Sequence, residues 1–532
     1  MRARFDLFFI AFIAFATSAL SISYELLIAR FLSSVSLNSV VSQSITIGLF
    51  LLALGCGAGA QSFLKPKAPA RVLVLIESLL SIAGSFVLIF ILWRQLSIGA
   101  GEALEPAVKM NRLIYQAQIG TFIVGFLSGF EIPLVLDLLK AQTSKMFGWV
   151  LAISYVGGLI GTWLLSLWLV PAVGLLKASF ALALLTAALG AVVYLRYFAR
   201  TFTWAAFPLI LAVFLPQTLI KHSGEIEQFY LKSYYYLIPD KWTPHAIHQM
   251  QLLFSTMPNI QRLSSAYQDI DIVQDDYRGE GQPGYHLFLN QHLQFGSETA
   301  RIYHDLMIHG SLNLAKMKPQ RVLIIGGGDG LLAKELLKYK TLESITLVEL
   351  DPAILNLAKA YPPLVKLNEN SLVDKRVHVV IGDGFTWARE QSEQFDCVFV
   401  DLPHPHSYEL SRLYSREFYL SIAKLVKPDG FMAFDFPFFA LAKRGDAREI
   451  RTATSITNAV RASGFKTIRM FGFWESFLIG FKKDFNPTFD YQALDPLVSD
   501  QSVSQFSFID PAPYSDAGVE ANTVFKPHWL RY

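Results

Sequence analysis

The chain has 532 residues, 52% hydrophobic and 17% charged, with a mean hydropathy of +0.37, which excludes an ordinary soluble enzyme and a single domain. Two cysteines, Cys56 and Cys397, exclude a disulfide framework and a cysteine-built zinc site. The charge is split: residues 1–222 hold 15 Lys+Arg against 7 Asp+Glu, and the remainder 31 against 36, so no basic face for nucleic acid emerges.

In chain order, seven apolar stretches come first, at residues 5–29, 41–63, 72–93, 115–136, 147–171, 176–195 and 204–220. Each is near the roughly 20 residues that cross a bilayer. The first is no secretory signal, because it runs too long and "SYELLIARFL" offers no small-residue cleavage site. Six are predicted to span. The seventh is interrupted by Pro208 and Pro216 and is compatible with spanning, kinking or lying at the interface. Arg2, Arg4, Lys65, Lys67, Arg71, Lys140, Lys145, Arg196 and Arg200 place the N-terminus and the even-numbered loops in the cytoplasm, in a cell inner membrane. A seventh full crossing would put the second half of the chain outside. Glu25, Glu77 and Glu131 fall in or near apolar spans, where an acid either has a function or caps and pairs. Gly157 and Gly161 form a small-xxx-small packing surface.

Residues 1–222 therefore read as an α-helical transmembrane bundle and 223–262, rich in aromatics without a clear period, as a connector. Residues 263–300 read as a small antiparallel sheet: "AYQDIDIVQDDY" and "YHLFLNQHLQF" alternate around the turn-rich "RGEGQPG". Residues 301–532 read as a Rossmann-like α/β domain. "ETARIYHDLMIHGSLNLA" has helical spacing, and "RVLIIGGGDG", "SITLVELD", "RVHVVIGDG", "FDCVFVDLP" and "GFMAFDF" are five strands of a doubly wound parallel sheet.

The chemistry lies where those strands end. Gly326, Gly327 and Gly328 let a ligand approach the backbone, Glu349 ends the second strand 23 residues after Gly326, and Asp383-Gly384 ends the third. An acid at the second strand end accepts ribose hydroxyls. The loop reads GGGDG rather than GxGxxG, and Asp329 would repel a pyrophosphate where helix N-termini favour anions. A cationic adenosyl compound suits it better.

"SAYQDIDI", "LFLNQHLQFGSETARIYHDLMIH", "VLIIGGGDGLLAKELLKY", "VELDP", "VIGDGF" and "FDCVFVDLP" resemble the ordered motifs of the polyamine aminopropyltransferases, the spermidine synthase family, over roughly residues 262–480. "SYELL", "EIPLVL", "FGFWESFLIGF" and "ANTVFKPHWLRY" resemble its membrane-embedded branch. The resemblance implies transfer of an aminopropyl group from decarboxylated S-adenosylmethionine to a primary, putrescine-like amine, with release of methylthioadenosine. It implies no metal, and a homodimer with its catalytic domain in the cytoplasm. It places Gln268, Gly326, Gly328, Asp329, Glu349, Asp383 and Gly384 on the nucleoside co-substrate. Tyr267, Tyr303, His304 and His404 are placed along the amine, with Asp329 also lining its channel, and Asp401 is the general base. A carboxylate there can deprotonate the ammonium that must attack.

One motif departs from the family. Where Asp-x-x-Asp-Pro is usual, the chain reads Asp401-Leu402-Pro403-His404-Pro405, so His404 replaces the second, amine-holding acid and putrescine specificity is open. Two other readings compete: a methyltransferase using S-adenosylmethionine, and a non-catalytic sensor or transporter of polyamine or nucleoside.

Overall fold

The computed structural model describes all residues except 1, 36–38, 102–105, 140–146, 200–202, 237–241, 276–283, 474, 495–497, 499–501, 503, 505 and 531–532. Lys140, Lys145, Arg200 and most of the "RGEGQPG" turn lie outside the described residues. Two compact units are present, Met1–Ser264 and Ser265–Tyr532.

The first unit is helical: α1 (Arg2–Val35), α2 (Ser39–Leu64), α3 (Pro69–Gly101), α4 (Pro106–Gly129), α5 (Glu131–Leu139), α6 (Phe147–Leu164) and α7 (Leu175–Phe198). Six segments are long and apolar enough to cross a membrane: Leu7–Ser33, Val40–Leu64, Pro69–Ile98, Arg112–Leu139, Phe147–Val173 and Leu175–Phe198. The fourth is α4 and α5 together, broken at Phe130. Pro133 explains the break: it has no N–H to offer the carbonyl four residues earlier, at Gly129. Glycines close the packing. A Cβ at Gly157 would stand 2.2 Å from the Phe15 carbonyl oxygen, and one at Gly161 2.3 Å from that of Ala19, so the small-residue face of α6 lets it seat directly on the α1 backbone.

The seventh stretch forms α8 (Ala206–Lys221), bent by 60° against α9 (Ser223–Tyr235). Pro216 is accommodated inside α8. The segment expected as a connector thus holds α9 and α10 (Pro244–Thr256). Their aromatics had obscured the helical period: Tyr230 and Phe254 are buried among other rings.

In the second unit β1 (Asp269–Asp275), β2 (Gly284–Leu289) and β3 (His292–Gly296) pair antiparallel, as expected. The large sheet contains β4 (Arg321–Gly326), β5 (Ser344–Glu349), β6 (Val377–Ile381), β7 (Phe395–Asp401), β8 (Val426–Asp435), β9 (Thr467–Gly472) and β10 (Ser476–Phe481), in the order β9-β10-β8-β7-β4-β5-β6. The five expected strands are parallel. β9 and β10 extend the sheet antiparallel, so it is mixed rather than wholly parallel. The strand "SFLIGF" is buried at every position and carries no alternation to mark it in sequence.

β4 shows why this sequence forms a central strand. Val322 and Ile324 enter one apolar layer, Leu323 and Ile325 the other, and none is more than 1% exposed. A run buried on both faces needs helices on both sides of the sheet. Each such side chain contributes about 1.5–3 kcal/mol by leaving water. Strand order reverses between β4 and β7, and the crevice at that switch point is where open α/β sheets bind ligands.

Candidate active site

The glycine turn after β4 is shaped by contact as well as torsion. Gly326, Gly327 and Gly330 have φ of 86°, 64° and 82°, in the left-handed region that glycine tolerates. A Cβ on Gly326 would sit 1.9 Å from the Asp401 carbonyl oxygen, and one on Gly328 2.7 Å from Glu349 Oε2. The turn is therefore pressed between the ends of β5 and β7.

Glu349 receives the Gly328 amide at 3.2 Å on Oε2 and the Asp351 amide at 2.8 Å on Oε1. Burial pushes its carboxyl up to about 7, against the hydrogen bonds from the Asp351 and Gly328 amides, while the charges of Asp351 and Asp329 push the same way as burial. Gln268 joins through Asp351, donating from Nε2 to Oδ2 at 3.0 Å. Asp383 caps the helix Gly384–Glu390 and also takes the Thr386 hydroxyl at 2.8 Å and Arg412 at 3.1 Å. Gly384 is needed for packing, since a Cβ there would fall 2.5 Å from Ile325 Cγ2.

Asp401 ends β7. Tyr303 donates its hydroxyl to Asp401 Oδ1 at 2.8 Å. Burial raises the Asp401 carboxyl to about 7; Asp329 and Asp435 push the same way, while His304 and the Tyr303 bond oppose. Burial likewise lifts Asp329 to about 6, although the Leu331 amide donates to its Oδ1 at 2.9 Å. His304 donates from Nδ1 to the Ala300 carbonyl at 2.5 Å. Burial holds its imidazole below the ordinary histidine range, against the pull of Asp401. One ligand atom each from His304, Asp329 and Asp401 lies within 4.8 Å of the others, a cluster able to hold an ammonium or a metal ion. A second such group, Asp305, His309 and Glu335, is fully buried; His309 Nε2 meets Glu335 at 2.9 Å and Nδ1 meets the Tyr339 hydroxyl at 2.8 Å.

His404 is not alone. Its Nε2 lies 2.8 Å from Asp435 Oδ2. Burial disfavours the imidazolium, but the Asp435 carboxylate overrides it and the net shift is upward. Asp435 ends β8, and β7 and β8 run in register with Val400 beside Phe434, so Asp401 and Asp435 are neighbours on adjacent strand ends. Asp435 Oδ1 is buried and has no hydrogen-bond partner among the described residues. The charge of Glu475, ahead of β10, also acts on His404 and Tyr303.

The structure thus gathers Tyr303, His304, Asp329 and Asp401 into one cluster and links Gln268 to Glu349. Tyr267 is 53% exposed and joins no such contact with them. Sequence reasoning missed Asp435 and Glu475. "GFMAFDF" did signal an acid at a strand end. Sequence reasoning noted "ANTVFKPHWLRY" only as a resemblance and not its role, in which Asn522 donates to the Ser411 and Tyr414 carbonyls at 2.9 and 2.8 Å and the Leu530 amide to that of Pro405 at 2.7 Å. Those bonds fix the loop that carries His404.

Residues 300–446 match the family described as "Spermine/spermidine synthase domain". Polyamine aminopropyltransferase 1 of Streptomyces coelicolor is 31% identical over 88% of this chain and 82% of its own length. The polyamine aminopropyltransferase of Leptospira interrogans is 29% identical over 97% of this chain and 96% of its own. The crystal structure of spermidine synthase from Thermotoga maritima shares 21% identity, covering 48% of this chain and 87% of its own, at a TM-score of 0.40. Both sequence relatives span the apolar helices as well as the α/β unit, and the chain belongs to the polyamine aminopropyltransferase family.

Proposed function

We propose that this protein is a membrane-anchored aminopropyltransferase that moves an aminopropyl group from decarboxylated S-adenosylmethionine to a primary amine. The observation that carries the reading is Asp401: a buried carboxyl raised to about 7, bonded to Tyr303 and beside His304 and Asp329. A base with that affinity takes a proton efficiently near neutral pH.

Glu349, Gln268, Asp383 and the glycine turn hold the adenosyl part, and Asp329 favours its cationic aminopropyl arm. The bound ammonium gives one proton to Asp401. The freed nitrogen lone pair attacks the methylene carbon bonded to sulfur, and the C–S electron pair passes to sulfur. A secondary ammonium, which now carries the charge the sulfonium had, and neutral methylthioadenosine result. The sulfonium is already an activated leaving group, so positioning supplies most of the rate and no Lewis acid is called for.

At the acceptor end, the negative charge expected at position 404 is supplied from β8 instead. Asp435, oriented by His404, would hold the far ammonium of a diamine, with Tyr303 as an aromatic wall. The six apolar segments support membrane anchoring. If the α8–α9 pair bends back without crossing, six passes return the chain to its starting side, where a cytosolic co-substrate is available.

The test is to incubate the purified full-length protein with decarboxylated S-adenosylmethionine and a panel of mono-, di- and triamines. Methylthioadenosine should form with diamines ahead of monoamines. Nucleoside binding without product from any amine overturns the reading.

A further inference from the structure

The helical unit holds a polar centre that aminopropyl transfer does not use. Glu77 on α3 is 0% exposed and Glu131, at the break between α4 and α5, is 1% exposed. Ser21 of α1 donates to Glu131 Oε2 at 2.5 Å. Both oxygens of Glu77 and the remaining Oε1 of Glu131 have no hydrogen-bond partner among the described residues. The two carboxyls act on each other electrostatically, and both act on Tyr24 of α1, whose hydroxyl lies 3.3 Å from Thr186 Oγ1 on α7. Tyr24 is a third titratable side chain of the group. Three helices and a broken span thus contribute to one buried polar group.

Physical chemistry does not leave two bare carboxylates in an apolar bundle. Each carries a desolvation penalty of several kcal/mol unless paired or neutralised, and no Lys, Arg or His is bonded to either among the described residues. The break adds a second reason for a cation. Pro133 denies the Gly129 carbonyl its helical hydrogen bond, two residues from Glu131, and α4 ends there with its partial negative charge. Discontinuous membrane helices use such ends to coordinate ions. Packing is tight: a Cβ on Gly84 would meet the Tyr24 ring at 2.4 Å, and one on Gly190 the Glu77 Cβ at 3.0 Å. That spacing suits a small ion rather than an alkylammonium chain.

We propose that Glu77 and Glu131, with Ser21 and Tyr24, form a binding site for a small monovalent inorganic cation, sodium or a proton. Sodium uptake would release the proton that neutralises the pair in its absence. The inference rests on the helices lying in a membrane, and it is independent of the transfer chemistry.

The experiment is thermal unfolding of the full-length protein in detergent micelles, at acid and alkaline pH, in sodium, potassium or choline chloride of equal ionic strength. Wild type should show a saturable rise of several degrees in its midpoint with sodium at alkaline pH, or with acid alone if the proton is the ligand. Glu77→Gln and Glu131→Gln should abolish it. Ser21→Ala keeps both acids and covers the case in which those variants do not fold; it should move the response to higher sodium. A midpoint insensitive to sodium and to pH, an equal rise with choline, or an unchanged response in Glu77→Gln overturns the site. Partition of the protein into washed membranes tests the anchoring separately, so the two failures are distinguishable.

Discussion

In the proposed assignment, the nucleoside end and the amine end of the candidate site are built by different means. At the nucleoside end, Glu349, Asp383 and the glycine turn sit at successive strand ends of parallel βαβ units, and backbone amides hold the key carboxylate. At the amine end, Asp401, His404 and Asp435 come from β7, the loop after it and β8, and are held by side chains. Backbone-held groups leave little to vary. Side-chain pairs can exchange members, and here a histidine on the loop after β7 is paired with an acid at the end of β8.

This contrast makes Asp401→Asn the most damaging substitution at the amine end. It should lower kcat by about 10²–10⁴-fold, the usual worth of a positioned base, while methylthioadenosine affinity measured by calorimetry stays within a few-fold. A parallel loss of nucleoside binding would show that the two ends are not separable.

Next is Asp435→Asn. It should raise KM for a diamine by about 10–100-fold, at roughly 1.4 kcal/mol per decade, with little change for the nucleoside. Adding His404→Asp to Asp435→Asn should recover part of the loss, because it returns a carboxylate to the amine end. Steady-state kinetics on the two single variants and the double variant measure that coupling. Additive effects would mean that His404 and Asp435 do not act as a pair.

Glu349→Gln should weaken methylthioadenosine binding by about tenfold, the equivalent of one or two hydrogen bonds to a charged group, without altering diamine KM. The pH effect is smaller and runs the same way. With Glu349 raised to about 7, its protonated form predominates below that pH and is a poor acceptor for two hydroxyls. Affinity should rise as pH climbs through about 7 and then level off, and Glu349→Gln should flatten the profile. The linkage to stability has the opposite sign. A carboxyl whose folded pKa is raised stabilises the ligand-free protein in acid, and that contribution fades as pH rises to about 7, from 4.5 for Glu349 and from 3.8 for Asp401. Thermal midpoints of ligand-free protein across that window check it.

Much of this was legible in the sequence because parallel strands are local objects. "VLIIGGGDG" announces a doubly buried strand, a glycine turn and a helix within ten residues, and "VELDP" puts an acid at the next strand end. Six segments long and apolar enough to cross a membrane were equally plain from length and hydropathy. Asp435 was not legible as a partner of His404, because 31 residues separate them and only the β7–β8 register makes them neighbours. The helices α9 and α10 were hidden by aromatic residues on several faces, which blur a 3.6-residue period.

Gly326 has a final consequence for catalytic tolerance. No side chain intervenes between the turn that would cradle the sulfonium nucleoside and the strand that would carry the base; the backbones of Gly326 and Asp401 are themselves in contact. The spacing between electrophile and base is therefore set by main-chain dimensions, which thermal motion and mutation alter little. A methyl group at that point would act as a shim, and displacement by about 1 Å is enough to cost about 10²-fold in rate. Selection can retune the far end of the amine freely, because the reacting distance is gauged somewhere else.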